Sequence, residues 1–162
     1  MIHVAADAEG AALAAARVVR TVLRGHARDS DGLSSLVLSG GTTPERLYRH
    51  LADTGGEGVR WERVQVLWGD ERCVPPDDER SNYGLAVRSG LLGRRVAAVW
   101  RMPGESPPDE GAAAYERDLA RALAQAGRSG LDLVVLGLGE DGHTASLLPG
   151  SAVLQERERL VA

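Results

Sequence analysis

The sequence predicts an α/β fold: an open, mainly parallel sheet with helices on both faces. Three observations carry that expectation. Four short apolar runs, at residues 36–38 (LVL), 64–68 (VQVLW), 96–100 (VAAVW) and within LDLVVLG from Leu131, are mostly unbroken by polar side chains, as strands covered on both faces are. Segments of helical periodicity separate them, the order that builds parallel sheets. The three richest polar loops, SGGTTP, GDERCVP and GLGEDGHTAS, each follow a run directly, which gathers them on the rim where such sheets bind ligands.

The elements follow in order. From residue 7 to about residue 24, Leu13, Ala16, Val19 and Leu23 recur at helical spacing while Arg17, Arg20 and Arg24 fall on other faces, so an amphipathic helix is expected. After the first strand and its glycine turn, Pro44 suits a first helical turn, and Thr42 with Glu45 resembles a capping box. The strand at 64–68 leads into a long loop, and Ser81 or Asn82 caps a helix running to about Leu92. After the third strand and the loop MPGESPPDE, Tyr115, Leu119, Ala122, Leu123 and Ala126 share one helical face. The fourth strand enters the glycine-rich loop. No internal repeat, low-complexity segment or linker divides the chain, and the paired prolines at Pro75-Pro76 and Pro107-Pro108 read as loops.

Composition bounds the function. At 162 residues, 43% hydrophobic and 26% charged, the chain suits one domain with a core of its own. No apolar run approaches the roughly 20 residues of a membrane span. The opening MIHVAADAEG carries acids where a secretory signal carries positive charge, so the cytoplasm is the expected location. The single cysteine, Cys73, excludes an internal disulfide and a thiolate metal cluster. A net charge of −4 argues against nucleic acid as a partner. All 19 basic residues are arginine, which removes the lysine of a nucleoside-triphosphate loop and any Schiff-base lysine. The four histidines are scattered without metal-ligand spacing, so no metal is expected.

Each loop has a chemical reading and a plainer one. In SGGTTP, Gly40 and Gly41 let backbone N–H groups at a helix start approach an anion such as phosphate; an ordinary tight turn fits equally. Asp70, Glu71 and Arg72 could supply a proton acceptor and a phosphate-pairing guanidinium, or form a solvated cluster of local ion pairs. The glycines of GLGEDGHTAS match G-x-G-x-x-G, but a dinucleotide fingerprint opens the first strand-helix unit and needs an acid at a strand end about 20 residues later. Only 20 residues follow Gly142, and Glu156 and Glu158 there sit in a charged run. The remaining reading is a glycine-flanked His143 projected into the rim, with Asp141 near enough to set its tautomer or orientation, as a general base toward water requires. His3, His26 and His50 lack such company and read as surface or packing residues.

With those loops in view, the chain resembles the 6-phosphogluconolactonases, which open 6-phosphoglucono-1,5-lactone in the pentose phosphate pathway. The matching segments are LSGGTTPERLY, WGDERCVPPDDERSNYGLA, RMPGE and LDLVVLGLGEDGHTASLLPGS, in family order and over most of the chain. Glucosamine-6-phosphate deaminases share the sheet and the sugar-phosphate site but carry DEY and NGHIGFNEP where this chain has DER and DGHTASLLP. The resemblance implies a Rossmann-like sheet of the sugar-phosphate isomerase/lactonase type. It implies that Gly40, Gly41 and Thr42 hold the substrate phosphate with Arg72 adding positive charge, that His143 deprotonates the attacking water, and that Asp70 and Asp141 are polar members of the same catalytic site. It implies no cofactor and a phosphorylated sugar lactone as partner. Family members continue past the point where this chain stops, at Leu160-Val161-Ala162, so a fragment of a longer chain, C-terminally incomplete, is expected. The competing expectations are a deaminase-like sugar-phosphate isomerase and a non-catalytic sugar-phosphate-binding module; nothing before Leu36 reads as the DNA-binding helices such a module brings.

Overall fold

The structure, a computed structural model, describes residues 2–29, 32–53 and 58–162. Its elements run helix α1 (Ala8–Asp29), strand β1 (Ser34–Leu38), α2 (Thr42–Asp53), β2 (Val64–Trp68), α3 (Asn82–Arg88), β3 (Ala98–Trp100), α4 (Pro108–Ala126) and β4 (Leu133–Val134). The strands form one parallel sheet in the order β3-β2-β1-β4. No described helix is long and apolar enough to cross a membrane.

Strand pleating sends alternate side chains to opposite faces, and the two faces have separate cores. Leu36 and Leu38 of β1 and Val64, Val66 and Trp68 of β2 point to the face covered by α1, α2 and α3. Val37 and Leu67 point the other way, onto Ala122 and Leu119 of α4. Of the expected α1 stripe, Ala16, Val19 and Leu23 are within this first core, with Ala12 added, but Leu13 is only half-buried, and Arg20, expected on another face, is buried and donates to the His50 carbonyl at 2.6 Å. Gln65, fully buried, is tolerated because its carboxamide is satisfied at both ends, donating to the Ala122 carbonyl at 3.1 Å and accepting from the Trp100 indole at 2.7 Å.

Strand β1 starts at Ser34, two residues before the expected Leu36, and other features also differ from the sequence expectation. Helix α1 continues past Arg24 to Asp29. Helix α3 stops at Arg88, because Gly90 adopts φ +82° and starts a separate 3-10 turn at Leu91–Gly93. The third strand starts at Ala98, since the Val96 N–H turns back to the Arg94 carbonyl. The capping box fails: Thr42 is already helical, the Gly41 carbonyl accepts the first helical bond from Glu45, and the Glu45 carboxylate pairs with Arg49 at 2.5 Å instead. Ser81 does cap α3, accepting from the Gly84 N–H.

Where the first two strands leave the sheet, their main-chain groups need new partners, and two buried phenols supply them. The Tyr48 hydroxyl of α2 accepts from the Ser39 N–H at 2.8 Å and donates to the Ser39 carbonyl at 2.7 Å. Tyr115 of α4 does the same for Trp68, at 2.9 and 2.8 Å. Burial pushes both phenols up, Tyr115 to about 12 and Tyr48 further, so they stay protonated and able to donate across the physiological range. Tyr48→Phe leaves a buried N–H and C=O unpaired and is expected to cost about 1–3 kcal/mol. Chemical denaturation reads this as a lower midpoint at unchanged slope.

Candidate active site

The sheet's carboxyl ends place three loops side by side. After β1, Gly41 takes φ +108°, a conformation that glycine adopts without strain, and turns the chain into α2. The N–H groups of Thr42 and Thr43 lie in the first turn of that helix, where no helical carbonyl can pair with them. Gly40 lies directly against Asn82: a Cβ built on it would meet Asn82 Oδ1 at 1.9 Å.

After β2, the three charges Asp70, Glu71 and Arg72 separate into different tasks. Glu71 faces inward as an anchor for α3, accepting from the backbone N–H groups of Asn82 (2.7 Å) and Tyr83 (2.9 Å) and from the Ser81 hydroxyl (3.1 Å). A carboxylate at a helix start is favoured by the same unpaired N–H groups that attract anions. Asp70 accepts from the Asn82 side chain and, across to the last loop, from the Ser146 hydroxyl at 2.8 Å. Arg72 is exposed and lines the same cavity as the glycine turn. The two acids thus meet different donors, Glu71 the start of α3 and Asp70 the Asn82 and Ser146 side chains, while Arg72 is exposed.

After β4 the chain closes into a small loop. The Gly139 N–H donates to the His143 carbonyl at 2.8 Å, the Gly142 N–H to the Gly139 carbonyl at 3.0 Å, and the Thr144 hydroxyl to the Gly137 carbonyl at 2.8 Å. Asp141 folds back so that one oxygen, Oδ1, meets both the His143 N–H (3.1 Å) and ring Nδ1 (2.5 Å). That hydrogen bond holds the Asp141 carboxyl below the usual carboxylate range and keeps it charged. With Nδ1 held as the donor, Nε2 is the nitrogen left to accept a proton.

Gly139 matters for a reason that spacing does not reveal. The imidazole lies over it, and an added Cβ would stand 2.2 Å from both Cε1 and Nδ1 of His143 and 2.8 Å from Asp141 Oδ1. Gly139→Ala is therefore expected to push the ring off Asp141 with little effect on the sheet. The His143 ring resonances should then lose the signature of a hydrogen-bonded Nδ1–H while the thermal midpoint stays within a few degrees.

One cavity of about 540 Å³ brings most of the expected residues together: Gly40, Gly41, Thr42, Asp70, Arg72 and His143 all line it. Asp141 does not. It stands behind the ring, with its side chain 58% exposed. The sequence reading missed the wall opposite the sheet, where Ala11, Ala12 and Ala15 of α1 lie; their small side chains leave the space open, and alanine in a helix carries no signal beyond helix propensity. It also missed Asn82 and Ser146 as partners of Asp70: Asn82 beside a helix start reads first as a cap, and Ser146 is 76 positions from Asp70 in the chain.

Residues 6–162 match the sequence model of a family described as glucosamine-6-phosphate isomerases/6-phosphogluconolactonase. Among curated proteins, the chain is 41% identical over 117 residues to a 6-phosphogluconolactonase of Treponema pallidum, covering 70% of this chain and 48% of that one. It is 39% identical over 156 residues to one of Rhizobium meliloti, covering 93% and 58%. Among solved structures it is similar to the 6-phosphogluconolactonase of Trypanosoma brucei, with TM-score 0.79 and 30% identity over 99% of this chain and 68% of that one. A Shewanella baltica 6-phosphogluconolactonase superposes with TM-score 0.77 and 31% identity, covering 94% and 64%. The chain spans about half the length of the curated relatives it matches.

Proposed function

The chain belongs to the glucosamine-6-phosphate isomerase/6-phosphogluconolactonase family, and from that premise we propose that it serves hydrolysis of 6-phosphoglucono-1,5-lactone to 6-phosphogluconate in the cytoplasm. The observation that carries this reading is the shared cavity: an anion cradle at Gly40, Gly41 and Thr42 with Arg72 beside it, and an imidazole on the facing loop whose far nitrogen is held by Asp141. A ligand with a phosphate at one end and an electrophilic carbonyl at the other suits that division.

In the proposed reaction the substrate phosphate sits on the N–H groups at the start of α2, favoured by the helix dipole and by bidentate pairing with Arg72. His143 Nε2 takes a proton from water as its oxygen attacks the lactone carbonyl. Asp141 stabilises the imidazolium that forms and fixes its tautomer. The tetrahedral intermediate collapses with cleavage of the ring C–O bond; the proton on His143 passes to the leaving hydroxyl, and the product is the open-chain acid. Asp70 has both carboxylate oxygens engaged by protein donors, so we assign it to holding the site together rather than to proton transfer. The deaminase alternative is disfavoured by the loop sequences, since deaminases carry DEY and NGHIGFNEP where this chain has DER and DGHTASLLP.

Arg72→Ala separates the phosphate role from general electrostatics. It is expected to raise KM for the phosphorylated lactone about tenfold or more, the value of losing one charge-assisted pair, and to leave KM for an unphosphorylated gluconolactone nearly unchanged. Equal effects on both substrates would exclude the phosphate contact.

A further inference from the structure

Resting on the lactonase reading above, we infer that Asn82, Asp70 and Ser146 form a brace across the three rim loops, and that Ser146 is the positioning residue that holds the His143 loop to it. The loops leave three different strands, and the main-chain bonds between those strands end, among the described residues, at the Gly69 N–H on the Leu38 carbonyl and the Val135 N–H on the Val37 carbonyl. Beyond them, one carboxylate joins the loops. Asp70 Oδ1 accepts from Asn82 Nδ2 at 3.3 Å, and Oδ2 accepts from Ser146 Oγ at 2.8 Å. Asn82 Nδ2 also donates to the Asp70 carbonyl at 3.0 Å, which leaves its Oδ1 turned onto Gly40.

The brace is rigid at its Asn82 end. Asn82 is 3% exposed and seated by its own N–H on Glu71, so its carboxamide has little freedom to leave Gly40. At the other end the chain accepts backbone strain to reach Asp70. Ala145 has φ +50°, the only positive φ at a non-glycine among the described residues, and the turn it opens is closed by the Leu147 N–H onto the Thr144 carbonyl at 2.9 Å. A conformation that disfavours any Cβ persists only where surrounding contacts over-determine it. The side chain this turn delivers is Ser146, three residues after the imidazole. Holding Ser146 on Asp70 therefore sets how far His143 stands from the Gly40 turn, and a displacement of about 1 Å at a reacting group can cost roughly a hundredfold in rate.

Hydrogen exchange of the full chain tests the brace without requiring turnover. Ser146 is exposed, so Ser146→Ala should fold normally. It is expected to speed exchange of the Gly139 and Leu147 amides about tenfold, the equivalent of losing one hydrogen bond to a charged acceptor, whereas Ser146→Thr, which keeps the hydroxyl, should exchange as wild type. In lactone hydrolysis, Ser146→Ala should lower kcat about tenfold or more with KM within about twofold, and Ser146→Thr should restore it, since the phosphate cradle is untouched. Unchanged exchange in Ser146→Ala, or failure of threonine to restore it, overturns the brace. Absence of lactone hydrolysis by the wild type overturns the functional reading instead, and the exchange result still decides the brace.

Discussion

His143→Ala is expected to lower kcat for lactone opening by about 10²–10⁴-fold, the usual contribution of a positioned general base, with KM changed little. In the proposed mechanism the ring touches water and the reacting carbonyl, and the phosphate is held by other residues of the same cavity. Folding should be unaffected, because the side chain is 39% exposed and outside both hydrophobic cores. The lactone opens spontaneously, so the measurement is its loss above that background with substrate generated in situ. A variant retaining the wild-type rate would exclude the mechanism. The hydrogen bond with His143 holds the Asp141 carboxyl below the usual carboxylate range.

Gly40→Ala is the second large effect, and it acts through packing. The new Cβ would sit 1.9 Å from Oδ1 and 2.6 Å from Cγ of Asn82, far inside van der Waals contact. Neither side yields easily: the Gly40 turn is tied through Ser39 to Tyr48, and Asn82 is buried and hydrogen-bonded to Asp70 and Glu71. Overpacking of this kind costs about 1–3 kcal/mol, read as a lowered denaturation midpoint. Function should suffer more than stability, since displacing the turn moves the cradle N–H groups away from the phosphate. KM for the phosphorylated lactone should rise at least about tenfold, with kcat falling as the Asn82–Asp70 contact is disturbed. An alanine variant with wild-type KM would show that the turn does not hold the phosphate.

The two predictions draw on different kinds of information. His143 stood out in the sequence because histidine is chemically distinctive and its neighbours, two glycines and an aspartate, are local. Gly40 stood out only as one of a pair of turn glycines, and the reason it must lack a side chain is a contact with a residue 42 positions later. The strands show the same contrast. The run at 64–68 was legible to the residue, whereas β1, buried along its whole length as β2 is, begins with Ser34 and Ser35, which carry no apolar signal. The LDLVVLG run was legible as a strand but not in extent: β4 spans only Leu133–Val134, because it pairs with β1 alone.

By itself, the order of residues determined the fold class, the polar rim and the chemical identity of its loops, because these depend on periodicity and on side-chain types adjacent in the chain. Only the tertiary structure decided which donors each acid meets. Asp70, Glu71 and Asp141 are the same functional group, and the sequence presents all three in exposed-looking loops. Their tasks differ because one meets Asn82 and Ser146, one the start of α3, and one an imidazole. A carboxylate's role is set by the donors around it, and for Asp70 and Glu71 those donors come from distant parts of the chain.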